Sequence, residues 1–153
     1  MGEVRVKVKI TNVSDATLAI EGKLKPGKVR AYETEAMVDT GAVRSVIPLQ
    51  VLRKLGLPTF GRQVVEYADG RKEAVDLAKG VGFEIMDRDT SDDALVLGDE
   101  VLIGQTVLEK MDLLVDCANH RVMPNRTFAT RSKIQEFFEV LVVDFLVNRK
   151  IFP

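Results

Sequence analysis

At 153 residues, 46% hydrophobic and 29% charged, the chain has the size and composition of one globular domain with a modest core. A net charge of -1 and a pI near 5.9 offer no electrostatic attraction to nucleic acid or to an anionic membrane, so neither is expected as a partner. A single cysteine, Cys117, excludes an internal disulfide, and the N-terminus lacks the apolar core of a signal peptide, so a cytoplasmic protein is expected.

Val4, Val6, Val8 and Ile10 alternate with Arg5, Lys7 and Lys9, which predicts a half-buried strand. Residues 12–15 read as a turn and 22–28, with Pro26-Gly27, as a loop before a strand over 29–38. Pro48 suits the first position of a helix over 49–55 that Gly56 stops. Leu57-Pro58 then requires extended or turning chain. Strands are expected at 63–67 and 74–85, joined by Ala68-Asp69-Gly70-Arg71, with Val75, Leu77, Val81, Phe83 and Ile85 in one register of the second strand. Residues 87–93 form an acidic stretch that begins like a calcium loop. It has Asp92 where such a loop needs glycine and Gly98 where it needs glutamate, so it reads as a solvated turn. Short strands at 94–97 and 101–104, a helix at 105–111 with Val107, Leu108 and Met111 on one face, and strands at 113–116 and 121–124 complete the series.

Between the strand at 29–38 and the helix lies Ala36-Met37-Val38-Asp39-Thr40-Gly41-Ala42-Val43-Arg44-Ser45-Val46-Ile47-Pro48. Asp, Thr and Gly all favour turns, but surface turns are usually bounded by polar residues, and this one is bounded by apolar segments that look buried. A carboxylate carried between buried segments is costly and calls for a chemical reason. The run resembles the pattern of aspartic peptidases, hydrophobic-hydrophobic-Asp-Thr-Gly-Ala, two variable residues, Ser and an aliphatic pair, and peptide hydrolysis supplies such a reason. A group must take a proton from water while another gives one to the carbonyl oxygen or the leaving amine. In aspartic peptidases generally, two carboxylates about 3 Å apart cannot both ionise easily, so they share a proton and fill both roles. Gly41 would let amides approach the carboxylate without a Cβ in the way, and the Thr40 hydroxyl could bond across to a partner loop.

Four features in this order carry a resemblance: Asp39-Thr40-Gly41-Ala42 with Ser45, the hairpin at Tyr67-Ala68-Asp69-Gly70, the apolar-apolar-glycine run Val101-Leu102-Ile103-Gly104, and the strand pair closing over 113–124. Residues 1–126 resemble the small, single-lobed, prokaryotic retropepsin-like aspartic proteases of clan AA. The resemblance implies a mainly β fold, a closed acid-protease barrel with one or two short helices, and an active site completed by a homodimer. It implies Asp39, Thr40 and Gly41 as catalytic residues, with Ala42, Ala68, Asp69 and Gly70 binding an extended peptide or protein substrate. No metal or other cofactor is implied. The chain holds one Asp-Thr-Gly where the mechanism needs two aspartates, which agrees with a dimer. Gln105, after the glycine, departs from many members and bears on how the following helix is tethered. Ala42 has no hydroxyl to favour an ionised aspartate, so activity reaching toward neutral pH is expected.

Residues 127–153 lie outside the resemblance. Ser132-Lys133-Ile134-Gln135 has capping-box form, and Ile134, Phe137, Phe138, Leu141, Val142 and Phe145 share one helical stripe, which predicts an amphipathic C-terminal helix packed on the barrel or on the dimer interface. Its apolar run is too short to span a bilayer. Cys117 and His120 lack further ligands for a metal and read as turn residues, and Gly80-Val81-Gly82 lacks the strand-glycine-helix context of a nucleotide loop. Two functional classes follow: a dimeric aspartic endopeptidase, or a dimeric peptide-binding or scaffolding module on the same fold without catalysis.

Overall fold

The computed structural model of the chain describes residues 2–125. The expected C-terminal helix falls outside these residues. Among the described residues, nine strands, three short α-helices and one 3-10 turn follow one another in chain order. β1 (Arg5–Asn12) runs into α1 (Val13–Ile20), and the 3-10 turn Pro26–Lys28 leads to β2 (Ala31–Val38). β3 (Ser45–Ile47), α2 (Leu49–Leu55), β4 (Thr59–Glu66), β5 (Lys72–Ile85) and β6 (Arg88–Val96) form the middle. β7 (Leu102–Ile103), α3 (Gln105–Lys110), β8 (Leu113–Asp116) and β9 (Arg121–Pro124) close the described part.

Side-chain alternation explains the barrel. In β1 the charged Arg5, Lys7 and Lys9 face out, while Val8 and Ile10 are buried and Val6 packs against them. β1 pairs antiparallel with β2 along its length, Val8 opposite Thr34, and its end also pairs with β5, Ile10 opposite Phe83. β2 runs parallel to β7, β7 antiparallel to β3, β3 parallel to β6, and β6 antiparallel to β5. The order β1-β2-β7-β3-β6-β5 therefore returns to β1 and closes a six-stranded barrel with no free edge in the ring. Ile10, Ile47, Phe83, Ile85, Ile103, Val107 and Leu108 fill it, each buried side chain of this size contributing roughly 1.5–3 kcal/mol.

β4 stands outside the ring. Among the described residues it pairs only with the first half of β5, Gln63 opposite Val75 and Glu66 opposite Lys72, so the two project as a hairpin. A bulge between Ala78 and Val81, where Gly80 takes φ +68, separates this projecting half from the half built into the barrel. The bulge also breaks the single register expected for β5: Val75, Ala78, Val81, Phe83 and Ile85 are buried while Leu77 is half-buried.

Three expectations are corrected. Residues 12–15 do not form an isolated turn: Asn12 accepts the Asp15 N–H and caps α1, which continues through Ile20. The same Asn chemistry starts turns and helices alike, and the exposed, short α1 has no strong apolar stripe to tell them apart. Residues 88–93 belong to strand β6, paired to β5 across a tight turn in which Met86 and Asp87 take φ 52 and 62. Pairing with β5 overrides the poor strand propensity of its aspartates. Pro48 caps α2 from outside, and Gly56, φ 61, ends it as expected.

Candidate active site

The Asp39 loop leaves the end of β2 at the barrel rim. The Asp39 N–H donates to the Ile103 carbonyl at 3.0 Å, which pins its start to β7. Within the loop, the Gly41 N–H donates to Asp39 Oδ1 at 2.9 Å and the Ala42 N–H to the Asp39 carbonyl at 3.2 Å. A Cβ at Gly41 would lie 3.2 Å from Asp39 Oδ1, tighter than ordinary contact, so the glycine lets its amide reach the carboxylate.

The far side of the loop hangs on the start of α3. The Gln105 N–H donates to the Ala42 carbonyl at 2.7 Å, the Thr106 N–H to the Val43 carbonyl at 3.1 Å, and the Gly104 N–H to Ser45 Oγ at 2.9 Å. Ser45 is fully buried, so this hydroxyl satisfies an amide that would otherwise be stranded in the core. Gly104 is required by crowding rather than by a special φ, which is -94: a Cβ there would lie 2.6 Å from the Arg44 carbonyl carbon and oxygen and 2.9 Å from the Ala42 oxygen. Gln105 contributes a backbone bond, and its side chain turns along the helix to Glu109.

Of the flanks of the loop, Ala36 and Ile47 are fully buried and Met37, Val38 and Val46 half-buried, while Asp39, Thr40 and Gly41 are exposed in the single chain. The expected burial of the carboxylate is therefore corrected: the loop faces outward from the rim, with water on its open side. Its Asp39–Gly41 bond is also the bond an ordinary aspartate turn makes.

Beside the loop lies a cavity of about 350 Å³ between Ala42, Val43, Arg44 and Val46 on one side, β4 from Gln63 to Glu66 on the other, and Leu95 and Leu97 beneath. Of the expected substrate-binding residues, only Ala42 lines it. Ala68, Asp69 and Gly70 sit at the exposed hairpin tip. There the Gly70 N–H donates to the Tyr67 carbonyl, and of the tip residues only Gly70 takes positive φ, 85. Asp69 is engaged within the tip, accepting from the Arg71 N–H at 3.0 Å and from Arg71 Nε at 2.7 Å. These bonds, the backbone one first, hold its carboxyl below the usual range. Arg71 also lies over the Tyr67 ring, and the Tyr67 hydroxyl donates to Glu73, so the tip is braced by its own side chains.

Sequence reading missed the cavity-lining residues of β4 and β6. The available signal was the apolar Val65 of β4, Leu95 of β6 and Leu97 just beyond it. Arg44, at the cavity, lies 3.9 Å from Asp93, which Lys79 holds more closely at 2.8 Å. Cys117 and His120 fall in the turn between β8 and β9, as expected. Among the described residues no three His, Cys, Asp or Glu side chains gather as a metal site, and no helix is long and apolar enough to cross a membrane.

Residues 26–110, more than half of the chain, match the family model described as "gag-polyprotein putative aspartyl protease". No curated protein matches the chain. The matched span takes in β2, the Asp39 loop, the projecting hairpin and the Gly104 crossing at the start of α3, and the chain belongs to this family of retropepsin-like aspartyl proteases.

Proposed function

We propose that the protein is an aspartic endopeptidase whose active site forms when two copies meet, Asp39 of each contributing one carboxylate. The observation that carries this reading is the Asp39 loop: its carboxylate is oriented by the Gly41 N–H and exposed at the rim, and Ala42, Val43 and Arg44 of the same loop line the cavity against the hairpin strand β4. Each chain has one such loop, so a pair of carboxylates requires two chains. In the pair, the ionised aspartate takes a proton from the attacking water as its oxygen bonds to the scissile carbonyl carbon. The protonated aspartate gives its proton to the carbonyl oxygen. Collapse of the tetrahedral intermediate breaks the C–N bond as the amine takes a proton from the dyad. Thr40, exposed beside Asp39, would bond across to the partner loop. The substrate would lie extended between loop and hairpin with a side chain in the cavity, and the tip at Ala68, Asp69 and Gly70 would close over it. A cytoplasmic setting fits the single cysteine.

The exposed, ordinary turn bond at Asp39 favours the second reading, a peptide-binding module without catalysis. Parent and Asp39→Asn proteins, incubated with an unfolded protein from about pH 4 to pH 8, separate the two readings, because this range spans the titration of a carboxylate pair. Asparagine keeps an oxygen for the Gly41 N–H, so the loop stays intact. Cleavage by the parent alone, with sedimentation showing a dimer, supports the peptidase. Absence of cleavage by a dimeric parent supports the module.

A further inference from the structure

The Asp39 loop holds itself with few bonds, and its far half depends on the first residues of α3, which accept none of the usual side-chain capping. α3 has six residues, too few to be stable alone, so its position is set by the burial of Val107 and Leu108 and by whatever fastens its ends. β6 does so at both ends. Thr106 Oγ1 lies 2.6 Å from Asp92 Oδ2, and Lys110 Nζ lies 3.2 Å from Asp92 Oδ1 and 3.0 Å from the Ser91 carbonyl. Thr106 Oγ1 also lies 3.0 Å from the Val43 carbonyl. Its single proton serves one acceptor at a time, and the charged carboxylate is both nearer and stronger, leaving the Thr106 N–H for Val43.

We propose that Thr106 and Asp92 are positioning residues for the peptidase reaction: by fastening α3 to β6 they hold the Asp39 loop in the geometry that pairing with a second loop requires. This rests on the peptidase reading above. Neither residue touches the reacting atoms; both act through Val43 and Ala42. An aspartate inside a strand is unfavourable unless it is engaged, and the Asp92 side chain is only 14% exposed. Burial pushes its carboxyl up, but the bonds from Thr106, Lys110 and the Asp93 N–H outweigh burial and keep it below the usual range, available as a charged acceptor.

The test compares parent, Thr106→Val, which keeps the shape and removes the hydroxyl, and Thr106→Ser, which restores it, in full-length protein. Steady-state cleavage of an unfolded protein and residue-resolved amide exchange are measured together. Thr106→Val is expected to lower kcat about 10-fold with KM within about 2-fold, and to speed exchange at Ala42, Gln105 and Thr106 about 10-fold relative to the β1–β2 amides, the loss of roughly one charged hydrogen bond. Thr106→Ser is expected to regain both. Unchanged kcat in Thr106→Val overturns the proposal, even if the protein melts earlier, since that is what a purely structural role would do. Unchanged exchange overturns it as well. A parent that cleaves nothing sinks the peptidase reading, and with it any role in the reaction, while the exchange rates still decide whether Thr106 fastens the loop.

Discussion

Gly104→Ala tests how the Asp39 loop is built. The new methyl would meet the Arg44 carbonyl carbon and oxygen at 2.6 Å and the Ala42 oxygen at 2.9 Å. All three are backbone atoms, so no rotamer change relieves the overlap. The loop and α3 must separate, stretching the buried Gly104–Ser45 bond of 2.9 Å and the Gln105–Ala42 bond of 2.7 Å. Overpacking costs about 1–3 kcal/mol and each weakened bond about 1 kcal/mol, so the variant should lose roughly 3–5 kcal/mol. That is a large share of the ~5–15 kcal/mol of a typical domain. If only backbone freedom mattered, the change would stay under about 1 kcal/mol, because φ at this position is -94 and open to any residue. Gly27→Ala is the control, with no atom within 4 Å of the added methyl. Urea unfolding followed by circular dichroism, at one protein concentration because association adds to stability, measures the difference. In a thermal scan it should appear as a fall of roughly 6–20 °C. A Gly104→Ala stability within about 0.5 kcal/mol of the Gly27→Ala control would refute the crowding argument.

Asn12→Ala removes both the cap of α1 and the donor to the Leu55 carbonyl at 2.8 Å, inside a site where Asn12 is 3% exposed. A loss of about 2–4 kcal/mol is expected in the same urea assay, with a value below about 1 kcal/mol counting against it. Arg30→Met removes the side-chain partner of Asp15, whose carboxyl is lowered chiefly by the Arg30 guanidinium and then by the Arg30 N–H. A lowered folded-state value gives stability that is present above the unfolded carboxyl value of about 3.9 and is lost as pH falls through the folded one. The gap between parent and variant should thus be widest near pH 7 and narrow below about pH 4, and an equal gap at pH 7 and pH 3 would contradict this. Ala42→Ser adds a hydroxyl beside Asp39 that favours the ionised aspartate, so the optimum of cleavage should move to lower pH; an unchanged pH profile removes the argument.

Local chemistry made much of this protein readable. The alternation of Val8 and Ile10 with Lys7 and Lys9 determined β1 because a strand in a barrel wall has one wet and one dry face. Gly56 ended α2 because a left-handed residue closes a helix most cheaply without a Cβ. Asp39 stood out because its apolar neighbours in β2 and β3 carry it to the barrel rim. Asn12 misled because its capping chemistry is shared by turns and helices, and the aspartates of β6 misled because their own strand propensity is poor.

The sequence by itself determined most of the strands, two of the helices, and the loop that bears Asp39, since each depends on neighbours a few residues away, but not β3 or the first part of β6. Tertiary structure alone decided that β1 meets β5 to close the barrel, that Gly104 presses on Arg44, and that Ser45 answers an amide 59 positions along the chain. It also turned Asp92 from a solvated acid into the anchor of α3, and showed Asp39 facing water in the single chain. Such contacts join segments whose separation carries no periodic signal. They exist only because burying the apolar face of each strand brings the segments together.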